Sequence, residues 1–501
     1  MERDAILWWG KSPPPPEVTT LCRARDIALI QIDRHPSDTE FAGAKGLIVE
    51  WDGQPQNDAM IAAVKHGLTP VFLCDFPDVP KVGDAIDRIA QNGKHLIFIE
   101  TASENAIRRI SRTAETPAWK PNLSIIGGEK LRSAEDTLLL SRAFSDCSSL
   151  TLVPVLQGST SVFQAYARLI NSRAGPVALP FFVKFGSREA IDRELRNYME
   201  CTTLHVPFNQ RPNLDASRCA LGFARGVIVG NFVERSESLQ AVVDRGAGLP
   251  ALQSLFDVAL KGWRQQAHLD RVNKVAAVTL TERMRLCLPS TYKQKRRDTL
   301  ASHVGVARQD LGATLSYEDL EKRLLDLPVI KFRYAMAHND LHGENVRVTG
   351  QDAILIDFAS TGDAPLSADP SALDVSLVLA TDSVYGEAWE GLARSLYNLE
   401  SLSHVPLPVS PETKGARIAQ ALRFLRQVAL ADTIDPLEYP IAVALQLLRK
   451  ASYADKSEIR LLAERQRRRA LAYAMAESLT LAIENEALGR SEISKNSLQT
   501  A

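Results

Sequence analysis

The stretch His338-Asn339-Asp340-Leu341-His342-Gly343-Glu344-Asn345, followed closely by Ile354-Leu355-Ile356-Asp357-Phe358, decides how this chain is read. Two short apolar runs border short polar loops, so the stretch reads as a strand, a polar loop and a hairpin that ends in a second acid. Asn345 lies five residues after Asp340, and Asp357 follows twelve residues later. Such a set suits chemistry on phosphate and magnesium, because magnesium takes oxygen ligands and one or two carboxylates plus phosphates usually suffice. The bland alternative is that both acids cap turns and His338 fills a gap in the core. A lone H-x-D would be compatible with it, but H-x-D-x-x-x-x-N joined to apolar-apolar-Asp-Phe speaks against it.

The H-x-D-L-H form resembles the aminoglycoside phosphotransferase and choline kinase group, which has the protein-kinase-like fold. The pattern L-x-G-x-S…V-K…E…H-x-D-L-H-x-x-N…L-I-D-F-A is similar to a bacterial branch of that group, often joined to signalling domains, and spans about residues 150–400. The resemblance implies ATP and Mg2+ as cofactors. Asp340 would accept the proton of an acceptor hydroxyl or orient that hydroxyl, and Asn345 and Asp357 would ligate magnesium on the ATP phosphates. His338 is placed with Asp340 as a catalytic-loop candidate, more as a support of the loop than as a proton shuttle. The chain departs from the group's usual H-G-D in having Asn339, and Glu344 stands where Gly is commoner; neither change removes a metal ligand. His342 stands where protein kinases usually carry Lys, which favours a small molecule over a protein as acceptor.

Further parts implied by the resemblance occur in the expected order. Phe181-Phe182-Val183-Lys184-Phe185 is an apolar strand interrupted by one cation, suited to a Lys that reaches the α- and β-phosphates. Glu194 on the following helix is the preferred partner of Lys184, with Glu189 and Glu200 as rivals; the alternative for Lys184 is a snorkelling edge residue. Gly158, Ser159 and Thr160 lie in a small polar loop between two strands, where backbone N–H groups can approach phosphates. That loop has one glycine where protein kinases have three, and an ordinary hairpin explains it as well. Asn231, Phe232 and Val233 end the sheet where kinase-like proteins place the adenine-binding hinge. Asp369, followed by Pro370 at a first helical turn, fits the acid that supports the catalytic loop, with Asp374 as the alternative and a plain helix cap as the ordinary role.

Outside this region, Ala5–Trp9, Ile27–Ile32, Gly46–Trp51, Thr69–Cys74 and His95–Glu100 read as strands, alternating with helical stretches at Glu17–Ala24, Asn57–His66 and Val82–Gln91. Continuous apolar strands alternating with helices predict a doubly wound parallel sheet. Its length and order resemble the receiver domain of response regulators. The acidic pair after the first strand is replaced by Gly10, Lys11 and Ser12, and the expected Thr/Ser and Lys by Asp75 and Thr101. Glu50 and Asp52 end the third strand, but phosphorylation of Asp52 would lack charge neutralisation, so the segment reads as a structural or interaction domain.

The expected organisation is therefore an α/β receiver-like (flavodoxin-like) domain at 1–125, a helical connection at 126–148, and an α+β two-lobed kinase-like part. The latter comprises an N-lobe at 149–234 and a large helical C-lobe with a C-terminal extension at 235–501. Late helices are predicted at Gly415–Ala431, Leu437–Tyr453 and Ser457–Ala487 from apolar residues three and four apart. With 501 residues, 45% hydrophobic and 24% charged, the composition is that of a globular protein. The 59 Lys+Arg against 60 Asp+Glu argue against an electrostatic nucleic-acid binder. No apolar run is long enough for a membrane span, and a cytoplasmic location is expected. Six scattered cysteines without a C-x-x-C pair read as buried thiols.

The function expected is transfer of the ATP γ-phosphate to a hydroxyl-bearing substrate, with a protein partner at the receiver-like domain and an oligomer both left open. The alternatives are a nucleotide-binding pseudokinase or scaffold, and transfer of AMP. The basic clusters Lys293–Arg297 and Arg465–Arg469 read first as solvated helix faces, the other reading being contact with acidic substrates.

Overall fold

In a computed structural model of the chain, residues 5–499 are described apart from 25–26, 38–39, 42–43, 45, 54–58, 61, 64–67, 80, 83–97, 104, 108–109, 111–122, 132, 145, 156–160, 171–177, 223–224, 232, 234–235, 270–274, 380–386, 405–412 and 455–461. The chain divides into two compact units, Met1–Leu195 with Pro212–Val233, and Arg196–Arg211 with Glu234–Ala501.

The first unit holds two sheets. Strands β1 (Ala5–Trp9), β2 (Ala28–Ile32), β3 (Gly46–Glu50), β4 (Thr69–Leu73) and β5 (Phe98–Glu100) pair in parallel in the order β2-β1-β3-β4-β5. The central strands β1 and β3 are buried along four of their five residues, which is why their sequences are continuously apolar instead of alternating. Helix α1 (Pro16–Ala24) starts on a proline, whose missing N–H costs nothing in a first turn, and carries Glu17 and Arg23 at the ends that favour each charge. The expected helix at Val82–Gln91 and much of that at Asn57–His66 lie outside the described residues.

The second sheet comprises β6 (Ser124–Ile126), β7 (Cys147–Pro154), β8 (Val162–Leu169), β9 (Leu179–Ser187), β10 (Ala220–Leu221) and β11 (Arg225–Asn231), in the order β10-β11-β9-β8-β7-β6. All of its pairs are antiparallel except β6 with β7. Strand β6, too short at three residues to show a period, straddles the expected border between the receiver-like domain and the helical connection, and the connection holds helix α2 (Ala134–Ala143), which Ser133 caps. Ile6, Trp8, Ile48 and Val71 of the parallel sheet share one core with Leu139 and Phe144 around α2 and with Leu150, Phe163, Val183 and Val229 of the second sheet. Helix α3 (Arg188–Asn197) follows β9 directly and buries Ile191 and Glu194.

The second unit is mainly helical. Among its described residues, six strands form two antiparallel sheets, β12 (Glu237–Ser238) with β15 (Val346–Thr349) and β16 (Asp352–Leu355), and β13 (Val275–Val278) with β14 (Ile330–Ala337) and β17 (Gly362–Pro365). Around them lie α4 (Lys261–Leu269), α5 (Gln294–Asp310), α6 (Ala368–Val378), α7 (Lys414–Asp432), α8 (Glu438–Ala451) and α9 (Leu462–Gln499). Twelve residues of α8 are buried, so this helix is core on nearly all sides. Its neighbour α9 ends later than the sequence pattern predicts, and the expected start at Ser457 lies outside the described residues. Among the described residues no helix is long and apolar enough to cross a membrane. Four of the six cysteines, Cys22, Cys74, Cys147 and Cys287, are buried.

Candidate active site

The segment between β14 and β17 is built on two loops. The first, His338–Asn345, leaves the end of β14; the second, Ile356–Thr361, leaves β16. They are tied together at the backbone, where the Ile356 N–H donates to the Asn345 carbonyl at 3.0 Å. His338 is buried and its Nε2 lies 3.0 Å from the Ile356 carbonyl, which makes it a strut between the loops. Its ring also packs on Phe358 at 5.8 Å.

Asp369, in the first turn of α6, is buried and accepts two consecutive backbone donors, His338 N–H at 2.8 Å and Asn339 N–H at 3.0 Å. Burial pushes its carboxyl up, against which those two N–H groups and the neighbouring His338 and Arg264 act. Asp374, the alternative for this position, is committed elsewhere: it accepts from Arg426 Nε at 2.7 Å and from the hydroxyls of Tyr397 and Tyr439.

Two residues of the site hold left-handed backbone without being glycine, Asn339 at φ 62° and Asp357 at φ 66°. Among non-glycine residues Asn and Asp tolerate this region best, so the Asn that departs from the resembled H-G-D pattern meets the same backbone demand as Gly. Asn339 adds a bond that Gly lacks, from Nδ2 to the Gly362 carbonyl at 3.0 Å.

Asp340 is about a third exposed, and its Oδ1 lies 2.8 Å from Arg449 Nη2. Asn345 is buried and its Nδ2 donates to the Asp340 carbonyl at 3.0 Å. That bond leaves the amide Oδ1 as the atom of Asn345 suited to a cation. An amide oxygen and the Asp357 carboxylate form an all-oxygen donor set, which fits magnesium with phosphates completing its shell. Among the described residues no group of three or more His, Cys, Asp and Glu side chains could hold a metal without such help. His342 caps the short turn Gly343–Asn345, and burial pulls its imidazole down to about 4, so it is neutral at ordinary pH.

Asn197 holds the second loop, its Nδ2 donating to the carbonyls of Phe358, Ala359 and Thr361 at 3.0–3.3 Å. Tyr198 packs against Phe358 at 5.7 Å. Neither residue was expected from sequence, and an Asn near a helix end carries no signal that would single it out. Arg449 was also missed; it is one of two adjacent cations, Arg449 and Lys450, that follow the largely apolar run Ile441–Leu448, so it lacks the cue of a single cation inside an apolar strand that drew attention to Lys184.

In the first unit, Lys184 Nζ lies 2.7 Å from Glu194 Oε2, both largely buried. Lys184 pairs across the sheet with Ile228 and with Val162. Asn231 ends β11; its N–H donates to the Asn213 carbonyl at 3.0 Å and its side chain accepts from the Asn213 N–H. Val233 is half-buried just beyond the strand, while Gly158, Ser159, Thr160 and Phe232 lie outside the described residues.

No family model matches the chain, and no curated protein matches it. Solved structures similar to it include small-molecule kinases. A glucosamine kinase is 14% identical with a TM-score of 0.36, the match covering 69% of this chain and 84% of that one. The choline kinase of Cryptosporidium parvum Iowa II is 10% identical with a TM-score of 0.28, covering 70% and 91%. A choline/ethanolamine kinase family protein of Mesorhizobium loti is 14% identical with a TM-score of 0.32, covering 66% and 91%. These likenesses are loose and add nothing to the geometry of the two loops.

Proposed function

We propose that the protein is an ATP- and Mg2+-dependent phosphotransferase that moves the γ-phosphate of ATP to a hydroxyl of a small molecule. What supports this reading best is the state of Asp340: a partly exposed carboxylate, fixed by Arg449, on a loop that also presents the Asn345 amide oxygen and is pinned from below by Asp369. In this reading Asp340 accepts or orients the acceptor proton, and Asn345 and Asp357 hold the magnesium. Bound magnesium would neutralise charge on the phosphates. Lys184, held by Glu194, meets the α- and β-phosphates, and His338 and Asp369 keep the loop in shape.

Adenine is assigned to Asn231–Val233 and the phosphate-facing loop to Gly158–Thr160. The N-terminal parallel sheet is assigned a structural or interaction role, since Gly10, Lys11 and Ser12 stand where a receiver has its metal-binding acids and Thr101 where it has its Lys. Catalysis would then consist of positioning and charge stabilisation.

The test is transfer from labelled ATP to metabolite and protein pools. Asp340→Asn is expected to lower turnover by roughly 10²–10⁴, the usual contribution of a general base, with ATP binding nearly intact. Equal activity in that variant sinks the assignment, and a product carrying AMP in place of phosphate replaces it.

A further inference from the structure

Arg296 belongs to the basic run Lys293–Arg297 and sits on α5 in an unusual setting. Its guanidinium lies between two aromatic rings, 3.7 Å from the Tyr292 centroid and 4.6 Å from that of Tyr453. Its Nε donates to the Ser452 hydroxyl at 2.8 Å, and that hydroxyl donates on to the Arg449 carbonyl at 2.6 Å. Arg296 is thereby joined to the residue that holds Asp340. Burial pushes the Cys287 thiol up, and both guanidiniums and the Asp340 carboxylate act on it too, so the three charges lie around one buried thiol. Lys450 follows Arg449 and bears on His342, adding positive charge next to the loop.

Arg296 Nη2 and Arg449 Nε are buried and have no hydrogen-bond partner among the described residues, while both side chains keep part of their surface exposed. An N–H left unmade is costly, and a guanidinium locked by ring stacking is a fork already ordered for a carboxylate or a phosphate. An ammonium group brought to the same place would meet like charge in a half-buried setting.

We infer that the acceptor bound beside Asp340 carries an anionic group, a carboxylate or a phosphate, in addition to its hydroxyl, and that Arg296 receives that group. The inference deepens the phosphotransferase reading and rests on Asp340 being the acceptor-side base. It also gives the Lys293–Arg297 run a role that only one of its members, the stacked Arg296, performs.

Calorimetric titration of the full chain with 3-phosphoglycerate, glycerate, glycerol and ethanolamine tests it, since these share short hydroxylated frames and differ in charge. The two anions are expected to bind at least roughly tenfold more tightly than the neutral and cationic compounds, the scale of one hydrogen bond to a charged group. Comparison of 3-phosphoglycerate with glycerate separates phosphate from carboxylate. Arg296→Met should weaken anion binding by a similar factor, and Arg296→Lys, which keeps charge without the fork, should weaken it less; circular dichroism checks that both variants fold. Absence of anion binding, preference for glycerol or ethanolamine, or anion binding that survives Arg296→Met overturns the inference. Failure of the phosphotransferase reading is distinct: it shows as ATP turnover that does not depend on Asp340, whereas anion binding should persist in Asp340→Asn.

Discussion

Arg449 grips Asp340 and the residue before it at once, with Nη2 on Asp340 Oδ1 at 2.8 Å and Nη1 on the Asn339 carbonyl at 2.7 Å. A side chain and the backbone that carries it are thus set by one planar fork. Arg449→Gln should lower kcat by up to roughly 100-fold, the cost of a misplaced reacting group, with the KM for ATP little changed. Arg449→Lys should fall between, because a point charge cannot match the fork. Steady-state kinetics on the identified acceptor decide this, and an unchanged kcat in Arg449→Gln refutes it.

Asn339 offers a cleaner backbone test. Asn339→Gly keeps the left-handed φ without strain and loses only the bond to the Gly362 carbonyl, so it should cost about 1 kcal/mol of stability or less. Asn339→Val forces a β-branched residue into that region and should cost about 1–3 kcal/mol and most of the activity. Urea unfolding of the two variants side by side gives the ranking.

The pair Asp374 and Arg426 is almost wholly shielded from water and receives two tyrosine hydroxyls. Arg426→Met leaves a buried carboxylate without its cation and should destabilise the protein by about 3–5 kcal/mol. Denaturant melts provide the measurement, and a loss under 1 kcal/mol, within the range of surface ion pairs, contradicts it.

Two groups of the second unit, the half-buried His342 and the buried Glu438, give opposite pH responses. His342 titrates at about 4 in the fold against 6.5 unfolded, so the unfolded chain binds the extra proton first and stability is lost as pH falls from 6.5 towards 4. Burial pushes the Glu438 carboxyl up from 4.5 to about 7, so stability is lost as pH rises from 4.5 towards 7. Together the two slopes offset each other in the intact protein. Each involves on the order of 3 kcal/mol at about 1.4 kcal/mol per pH unit. Glu438→Gln should expose the His342 slope, with stability falling below pH 6.5, and His342→Asn should expose the reverse. Thermal melts between pH 4.5 and 7 read both; flat profiles in both variants would count against the two assignments.

What the sequence made legible followed from local pattern. The strands of the parallel sheet and the β14-loop-hairpin announce themselves by short apolar runs, the helices α7 and α8 by apolar period, and Lys184 by being a cation in an apolar strand. Asp369 could be placed because an acid followed by Pro marks a helix start. Arg449, Asn197 and Arg296 were not legible, since each acts across more than a hundred residues of chain and its role depends on which loop packing brings to it. The left-handed demand at Asn339 was half visible: the residue was noticed as a departure from Gly, while the φ angle explains why Asn can stand there.

The common core of the first unit has a consequence for how this chain can change over generations. Ile6, Trp8, Ile48 and Val71 are packed with Phe163 and Val183, and Arg188 at the start of α3 donates to the Ile99 carbonyl at the end of β5. A gene rearrangement that dropped the first hundred residues would strip one wall from the strand that bears Lys184. Segments that look like separate acquisitions are bound to be inherited together.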